Sequence, residues 1–273
     1  MTADGTTTSG GPAHGTGGRT AAFFDVDNTV VRGASSFHVG RAAQRRGMFR
    51  MRDLLRFAAH QIRFEIFGES KAGIELVRGR ALSIVAGLSV AEVTTLAEEV
   101  YDEVLASRVF PGTKRLVDAH LAAGHEVWLV TATPLEIGEL IARRLGATGA
   151  LGTVAEHRDG VYTGRLVGSL LHGNAKAVAV RRLAEERGLD LGSCHAYSDS
   201  VNDLPLLGVV GHPCAINPDR SLRTRAREKG WPVREFRGTS RHARRGVHAA
   251  SLAGAAWLAG LAMRAVRRSI VRA

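Results

Sequence analysis

Apolar residues fall along this chain in two rhythms. Ala21 to Val26, AAFFDV, is a short apolar run broken by an acid, the pattern of a buried strand. From about Ser36 to Arg108 the rhythm is helical, with Phe37, Val39, Leu54, Leu55, Phe57, Ile62, Phe64 and Phe67 at mixed three- and four-residue spacings. Ser70 to Val85 and Ser89 to Leu105 read as two further helices, and Ser89 with Glu92 three residues on predicts a capping box. Beyond about residue 110 the rhythm alternates. Helices are predicted over Thr113–Ala123, Pro134–Leu145, Lys176–Arg187 and Leu204–Leu207, the first three ended by Gly124, Gly146 and Gly188. Strands are predicted over Glu126–Val130, stopping at Thr131, over Cys194–Tyr197 and at Ala215-Ile216. Short strands with a hairpin turn at Asp159-Gly160 fill 149–168. Strands alternating with helices predict an α/β fold built on a parallel, doubly wound sheet, interrupted by the helical insertion.

Composition adds a charge asymmetry. The formal net charge is +11, yet the residues up to 218 hold 23 basic and 23 acidic side chains, while those from Asp219 onward hold 14 and 3. This reading assigns the basicity to a C-terminal tail that meets an anionic surface. Gly246 to Met263 is an 18-residue stretch without formal charge, flanked by the basic run Arg234 to Arg245 and by Arg264, Arg267, Arg268 and Arg272. It fits an interfacial helix at a membrane surface, a single span, or a helix packed on the body or a second subunit. No nucleic-acid-binding signature accompanies it, which argues against a nucleic-acid partner. Met1 to Arg19, rich in Gly, Thr and Ser, reads as a disordered tail without the apolar core of a secretory signal. Cys194 and Cys214 have no metal-ligand spacing, and the expected compartment is the reducing cytoplasm, with attachment to the inner membrane face through the tail as an option.

Candidate chemistry gathers where the predicted strands end. Ligands of open α/β sheets bind beyond the carboxyl ends of the strands. The first strand runs into Asp25-Val26-Asp27, the second into Thr131, another into Asp199 with Asp203 four residues later, and Lys176 opens a helix. Taken singly, each has an ordinary reading as a capping, turn or surface residue. Together they suit phosphoryl transfer. One carboxylate can attack phosphorus, a second can move protons, and a hydroxyl and an ammonium can hold phosphoryl oxygens. An oxygen-only set of carboxylates favours Mg²⁺ as cofactor.

FFDVDNTVV, LVTATP, the NAK around Lys176 and YSDSVNDLPLL resemble the four motifs of the haloacid dehalogenase superfamily, in the order of its phosphoserine-phosphatase-like branch, subfamily IB. The resemblance spans residues 21 to about 236. It implies a Rossmann-like parallel-sheet core, 20–35 and 109–236, with an inserted helical cap of the C1 type over 36–108, and a basic tail from 237 to 273. It further implies Asp25 as nucleophile, Asp27 as general acid/base, Thr131 and Lys176 on the phosphoryl group, and Mg²⁺ held by Asp25, the Asp27 carbonyl, Asp199 and Asp203. Asp27 argues for phosphate esters, because dehalogenases lack that second carboxylate. The expected activity is a phosphomonoesterase for a small substrate, with a lipid-derived or head-group phosphate as alternative and a non-catalytic phospho-ligand binder as the reading of another class. Phosphoserine phosphatases carry a glutamate nine residues after the nucleophile; here that position is Ala34. Arg80, or Arg78, is the candidate for a substrate carboxylate.

Overall fold

The structure, a computed structural model, describes residues 18–48 and 86–237. The candidates Arg78 and Arg80, the helix expected at 70–85 and the apolar stretch 246–263 lie outside those residues. Six parallel strands form the central sheet: β1 (Ala21–Phe24), β2 (Glu126–Pro134), β3 (Gly149–Thr153), β6 (His195–Ser198), β7 (His212–Ile216) and β8 (Val233–Arg234), in the order β3-β2-β1-β6-β7-β8. A separate antiparallel hairpin joins β4 (Ala155–Arg158) to β5 (Val161–Leu166). This is a Rossmann-like α/β fold, as expected.

Both faces of the sheet are covered, so its strands are apolar throughout rather than alternating with polar residues. Side chains of successive strand residues serve opposite layers. Ala22, Phe24, Val127, Leu129, Tyr197, Cys214 and Ile216 enter one core, packed by α1 (Ser35–Arg45), α2 (Val90–Val100), α3 (Pro111–Ala122) and α4 (Leu135–Leu145). Ala21, Phe23, Val130, Ala196 and Ala215 enter the other, beneath α5 (Asn174–Arg187), α6 (Leu204–Leu207) and α7 (Arg220–Glu228). Phe23 and Phe24 are fully buried, and each side chain contributes roughly 1.5–3 kcal/mol by leaving water. Phe24 also stacks on Tyr197 with ring centroids 4.4 Å apart, locking β1 to β6.

Several sequence expectations are corrected. Ser89 sits at the N-cap of α2 but makes no side-chain capping bond. The Val90 N–H donates instead to the carbonyl of Gly160 at the hairpin tip, and Ser89 bridges Val161, so the hairpin supplies the cap. The helix predicted through Leu105 gives way after Val100 to a π turn, Tyr101–Leu105, and a 3₁₀ turn, Ala106–Arg108. Strand β2 continues past Thr131 to Pro134, across an irregularity in its pairing with β3. Arg19, counted with the disordered tail, bridges Leu189 and pairs with Glu126 at 2.5 Å. Helix α7 and strand β8 carry five of the fourteen basic residues assigned above to the tail, with Lys229 between them and Arg237 following. They belong to the folded body. Their hydrophobic signal is only Leu222 and Ala226, which the surrounding arginines mask in sequence.

The segment after β8 is held by one glycine. A Cβ on Gly112, in the first turn of α3, would lie 2.2 Å from the Phe236 ring. Gly112→Ala is expected to expel that ring and cost about 1–3 kcal/mol, read as a lower urea midpoint. Adding Phe236→Ala should recover part of the loss if the clash is the cause, because the two changes then couple rather than add.

Candidate active site

The chain leaves β1 at Asp25, whose N–H still donates to the carbonyl of Tyr197 at 2.9 Å. It then folds back sharply. The N–H groups of Val30 and Val31 both donate to the carbonyl of Val26, and Asn28 takes φ 60, a left-handed conformation that asparagine tolerates better than most residues. Buried Val26, Val30 and Val31 anchor this loop, so Asp25 and Asp27 stand on a rigid turn at the carboxyl end of the central strand. In this sheet order the strands on either side of β1 lead away in opposite senses of the chain, which is where such folds open a crevice.

Lys176 reaches the same point from α5. Gly173 precedes that helix at φ 54, ψ −121, a conformation open to glycine, and turns the chain so that Lys176 falls in the first helical turn. Its Nζ donates to Asp25 Oδ1 at 2.6 Å and to Asp203 Oδ2 at 2.8 Å, and the side chain is almost wholly buried. Ser198 Oγ donates to the same Asp203 oxygen at 2.7 Å. Burial works to lower the ammonium, but Asp25 and Asp203 outweigh it and hold Lys176 above the ordinary lysine range. One lysine does not satisfy the whole set. Burial raises Asp25 to about 7, Lys176 opposing and Asp203 and Asp27 adding to the rise. Burial likewise raises Asp199 to about 8, helped by Asp25 and opposed by Arg237.

Asp27 is held from the side of α1. Its Oδ1 accepts from the Ser35 N–H at 2.8 Å and the Ser35 Oγ at 2.7 Å, and Ser35 Oγ lies 3.2 Å from Thr133 Oγ1. Ala34, the N-cap of α1, has no side chain that can cap, so Asp27 satisfies the first helical N–H in its place. Thr131 is buried at the end of β2, and its hydroxyl accepts from the Thr133 N–H at 3.1 Å.

The structure thus brings Asp25, Lys176 and Asp203 into direct contact, sets Asp27 and Asp199 on the loops after β1 and β6, and places Thr131 within β2. Sequence reasoning missed Ser35, Thr133, Asn217, Asp219 and Arg237. Asn217 is fully buried at the tip of β7, with φ 47. Its amide donates to the Asn28 carbonyl at 3.2 Å, and its Oδ1 accepts from the N–H groups of Phe236 and Arg237. Arg237 is thereby placed with Nη2 3.4 Å from Asp199 Oδ2. A polar residue following an apolar strand was the signal that found Asp25, Thr131 and Asp199, and it marks Asn217 equally well. Asp219 caps α7 and accepts the Val201 N–H, fixing the turn that carries Asp199 and Asp203. Arg237 has no local signal, because its position depends on β8.

The donor set fits a hard divalent cation. It consists of carboxylates and carbonyls, with more acids than Lys176 and Arg237 neutralise, and burial, with the neighbouring acids adding to it, raises Asp25 and Asp199. A nucleophilic carboxylate beside a cation and a second carboxyl is also the arrangement that phosphoryl acceptance requires.

Comparison with known proteins gives the same direction. The model of the haloacid dehalogenase-like hydrolase family matches residues 22–208. Phosphoserine phosphatase SerB1 of Mycobacterium tuberculosis (strain H37Rv) is 53% identical over 247 residues, covering 89% of this chain and 80% of that protein. Histidinol-phosphatase of Neisseria meningitidis serogroup C is 31% identical over 79% of this chain and 98% of its own length. A solved protein of unknown function from Bordetella pertussis Tohama I superimposes with a TM-score of 0.70 at 32% identity, covering 80% of this chain and 99% of that one.

Carboxylates with raised folded-state values favour the fold when protonated. That contribution is complete below the unfolded value of 3.8 and is lost as pH rises through about 7 for Asp25 and about 8 for Asp199. The metal-free protein should therefore melt at progressively lower temperature across that window. Asp199→Asn should raise its melting temperature at the alkaline end and flatten the slope. Mg²⁺ should raise the melting temperature of the wild type, more so at higher pH where it competes with fewer protons, and do little for the variant. Thermal scans with and without Mg²⁺ across pH check all three outcomes.

Proposed function

Because the chain belongs to the haloacid dehalogenase-like hydrolase family, we propose that it is a Mg²⁺-dependent phosphatase that hydrolyses a small phosphate monoester through an aspartyl-phosphate on Asp25. The observation that carries this reading is Asp25 at the tip of the central strand, its Oδ1 held 2.6 Å from the buried Lys176. The Lys176 bond fixes one carboxylate oxygen and leaves Oδ2 without a hydrogen-bond partner among the described residues, so Oδ2 is the attacking atom.

In the first half-reaction Asp25 Oδ2 forms a bond to phosphorus as the ester P–O bond breaks. The electron pair leaves on the substrate alkoxide, which takes a proton from the Asp27 carboxyl. Ser35 fixes Asp27 through Oδ1, which leaves Oδ2 for proton transfer. In the second half-reaction Asp27 takes a proton from water as the water oxygen attacks phosphorus. The bond from phosphorus to Asp25 breaks, inorganic phosphate departs and Asp25 is restored. Thr131 and Lys176 hold phosphoryl oxygens through both halves. Mg²⁺, when bound to Asp25, Asp199, Asp203 and the Asp27 carbonyl, supplies the positive charge that lets an anionic nucleophile meet an anionic phosphoryl group.

The substrate reading follows from the cap side, taken here as residues 36–108 over a core of 20–35 and 109–236. Phosphoserine is supported by the name of the relative at 53% identity, and an amino-alcohol phosphate of another kind by the name of the Neisseria relative. The environment of Asp27 carries its own information. Position 34 is alanine, and His38, half-buried nearby, is lowered by burial and then by Arg108 and Arg41. That neighbourhood is basic, so it suits a substrate bearing a carboxylate beside its phosphate, as phosphoserine does, better than one recognised through its ammonium alone.

Phosphate release with Mg²⁺ is expected from the wild type on phosphoserine and to be reduced to background in Asp25→Asn. Folded wild-type protein that binds these esters without turning any over would make the chain a phospho-ligand binder instead. Asp27→Asn should slow turnover by about 10²–10⁴-fold, the usual share of general acid–base catalysis. With an aryl phosphate, whose leaving group needs no proton, Asp27→Asn should still give a burst of leaving group equal to the enzyme concentration, because only the second half-reaction then requires the base. An Asp27→Asn enzyme that hydrolyses an aryl phosphate at the wild-type steady rate would remove Asp27 from the proposed role.

A further inference from the structure

The opposite end of the sheet holds a second cluster of chemistry that phosphoryl transfer does not use. His120 lies in the last turn of α3, His125 immediately before β2, and His195 at the start of β6. They converge over the amino end of β1, where Ala22 pairs with His195 and its small side chain leaves room for three imidazoles. One ring nitrogen from each residue lies within 4.8 Å of the other two. The Nδ1 atoms of His120 and His125 are 2.9 Å apart, and His120 Nε2 is 2.8 Å from the Tyr197 hydroxyl.

These two contacts orient the His120 ring through both of its nitrogens. If His120 donates from Nε2 to Tyr197, its Nδ1 presents a lone pair to His125 and the cluster. Protonating the rings is opposed by their burial and proximity: His120 is lowered to about 4 by burial and then by His195 and His125, and His195 is lowered by burial and then by His212 and His125. Neutral imidazoles aimed at one point, with one ring oriented by a hydrogen bond through its other nitrogen, are what a first-row transition ion requires. The nitrogens of a tetrahedral zinc site stand about 3.4 Å apart at Zn–N distances of ~2.0–2.1 Å, so the cluster reaches that spacing by adjustments of about 1.5 Å or less, the His120–His125 pair opening slightly and the wider pairs closing. His125 and His195 are only partly buried, and a cavity of about 400 Å³ lined by His195, Tyr197 and His212 opens on the His195 side of the cluster. An ion can enter, and water can complete its coordination.

We propose that His120, His125 and His195 form a binding site for Zn²⁺ or a similar imidazole-preferring divalent ion, separate from the magnesium-type carboxylate centre. Three residues of β1 separate the two sites, on the order of 10 Å at strand rise. The nitrogen-only set selects against Mg²⁺, and the carboxylate set at the other end favours it. A bound ion would tie the end of α3 to the start of β6, two elements that also carry the Gly112–Phe236 contact and the Asp199 turn.

The test uses the full chain without an affinity tag, in an Asp25→Asn/Asp199→Asn background that weakens binding at the carboxylate centre. Calorimetric titration with ZnCl₂ should give one site of micromolar affinity or tighter, and Co²⁺ should give the intense visible bands of tetrahedral coordination. His125→Ala and His195→Gln, both at partly exposed positions, should each weaken Zn²⁺ at least tenfold and abolish the Co²⁺ bands. Tyr197→Phe leaves all three ligands in place and should weaken binding by about tenfold through the lost orienting bond. Unchanged Zn²⁺ affinity in folded His125→Ala and His195→Gln proteins, octahedral Co²⁺ spectra, or no binding to the parent chain would each overturn the proposal.

Discussion

A single buried ammonium holds this molecule's working end together. Lys176 is shared between Asp25 on the central strand and Asp203 on the turn after β6, and neither carboxylate has another cation within bonding distance among the described residues. Buried charges tolerate such a setting only when paired and hydrogen-bonded. The ion triad therefore fixes three separate pieces of chain, the β1 loop, the start of α5 and the turn after β6, into one geometry. Its imbalance is equally important. Two further acids, Asp27 and Asp199, face the same space, so the protein carries an excess of negative charge where an anionic substrate must arrive. A site built for a divalent cation makes physical sense of that excess, whereas a merely structural ion pair would not need it.

Two other connections radiate from this centre. Asp27 both belongs to the loop after β1 and caps α1, because Ala34 offers nothing in its place. Any tilt of α1 then strains the bond to the proposed general acid, so helix position and proton transfer are mechanically coupled. On the far side, Asn217 gathers the Asn28 carbonyl and the N–H groups of Phe236 and Arg237 onto one fully buried amide. A chain segment distant in sequence from the motifs in this way delivers a guanidinium to Asp199. The folded body consequently extends into a region that charge counting assigns to the tail.

Strands β1, β2, β6 and β7, the helices between residues 110 and 207 and the residues Asp25, Thr131 and Asp199 were legible because each follows a local rule: an apolar run, a glycine stop, a polar residue closing the run. What escaped depends on tertiary partners. The capping box at Ser89 failed because the Gly160 carbonyl reached the helix start first, and no reading of residues 89–92 contains that hairpin. Helix α7 was hidden because only Leu222 and Ala226 face the core, and five basic residues from Arg220 to Lys229 dominate its composition. Ser35 was passed over because its role is set by Asp27 and Thr133, one eight residues away in sequence and the other ninety-eight. The histidines were similarly invisible, since 120, 125 and 195 share no spacing and meet only because α3 ends where β2 and β6 begin.

The parallel sheet explains why chemistry collects at both of its ends but takes different forms there. At the carboxyl ends the strands turn into loops, and side chains from those loops can point freely into a crevice. At the amino ends the chain arrives from helices, and the residues that meet there are the last of α3 and the first of β2 and β6. His120 is buried there, packed edge-on against Phe24 and Tyr197 from the same core layer, with the partly buried His125 and His195 beside it. Carboxylates thus gather at the carboxyl ends of the strands and imidazoles at the amino ends.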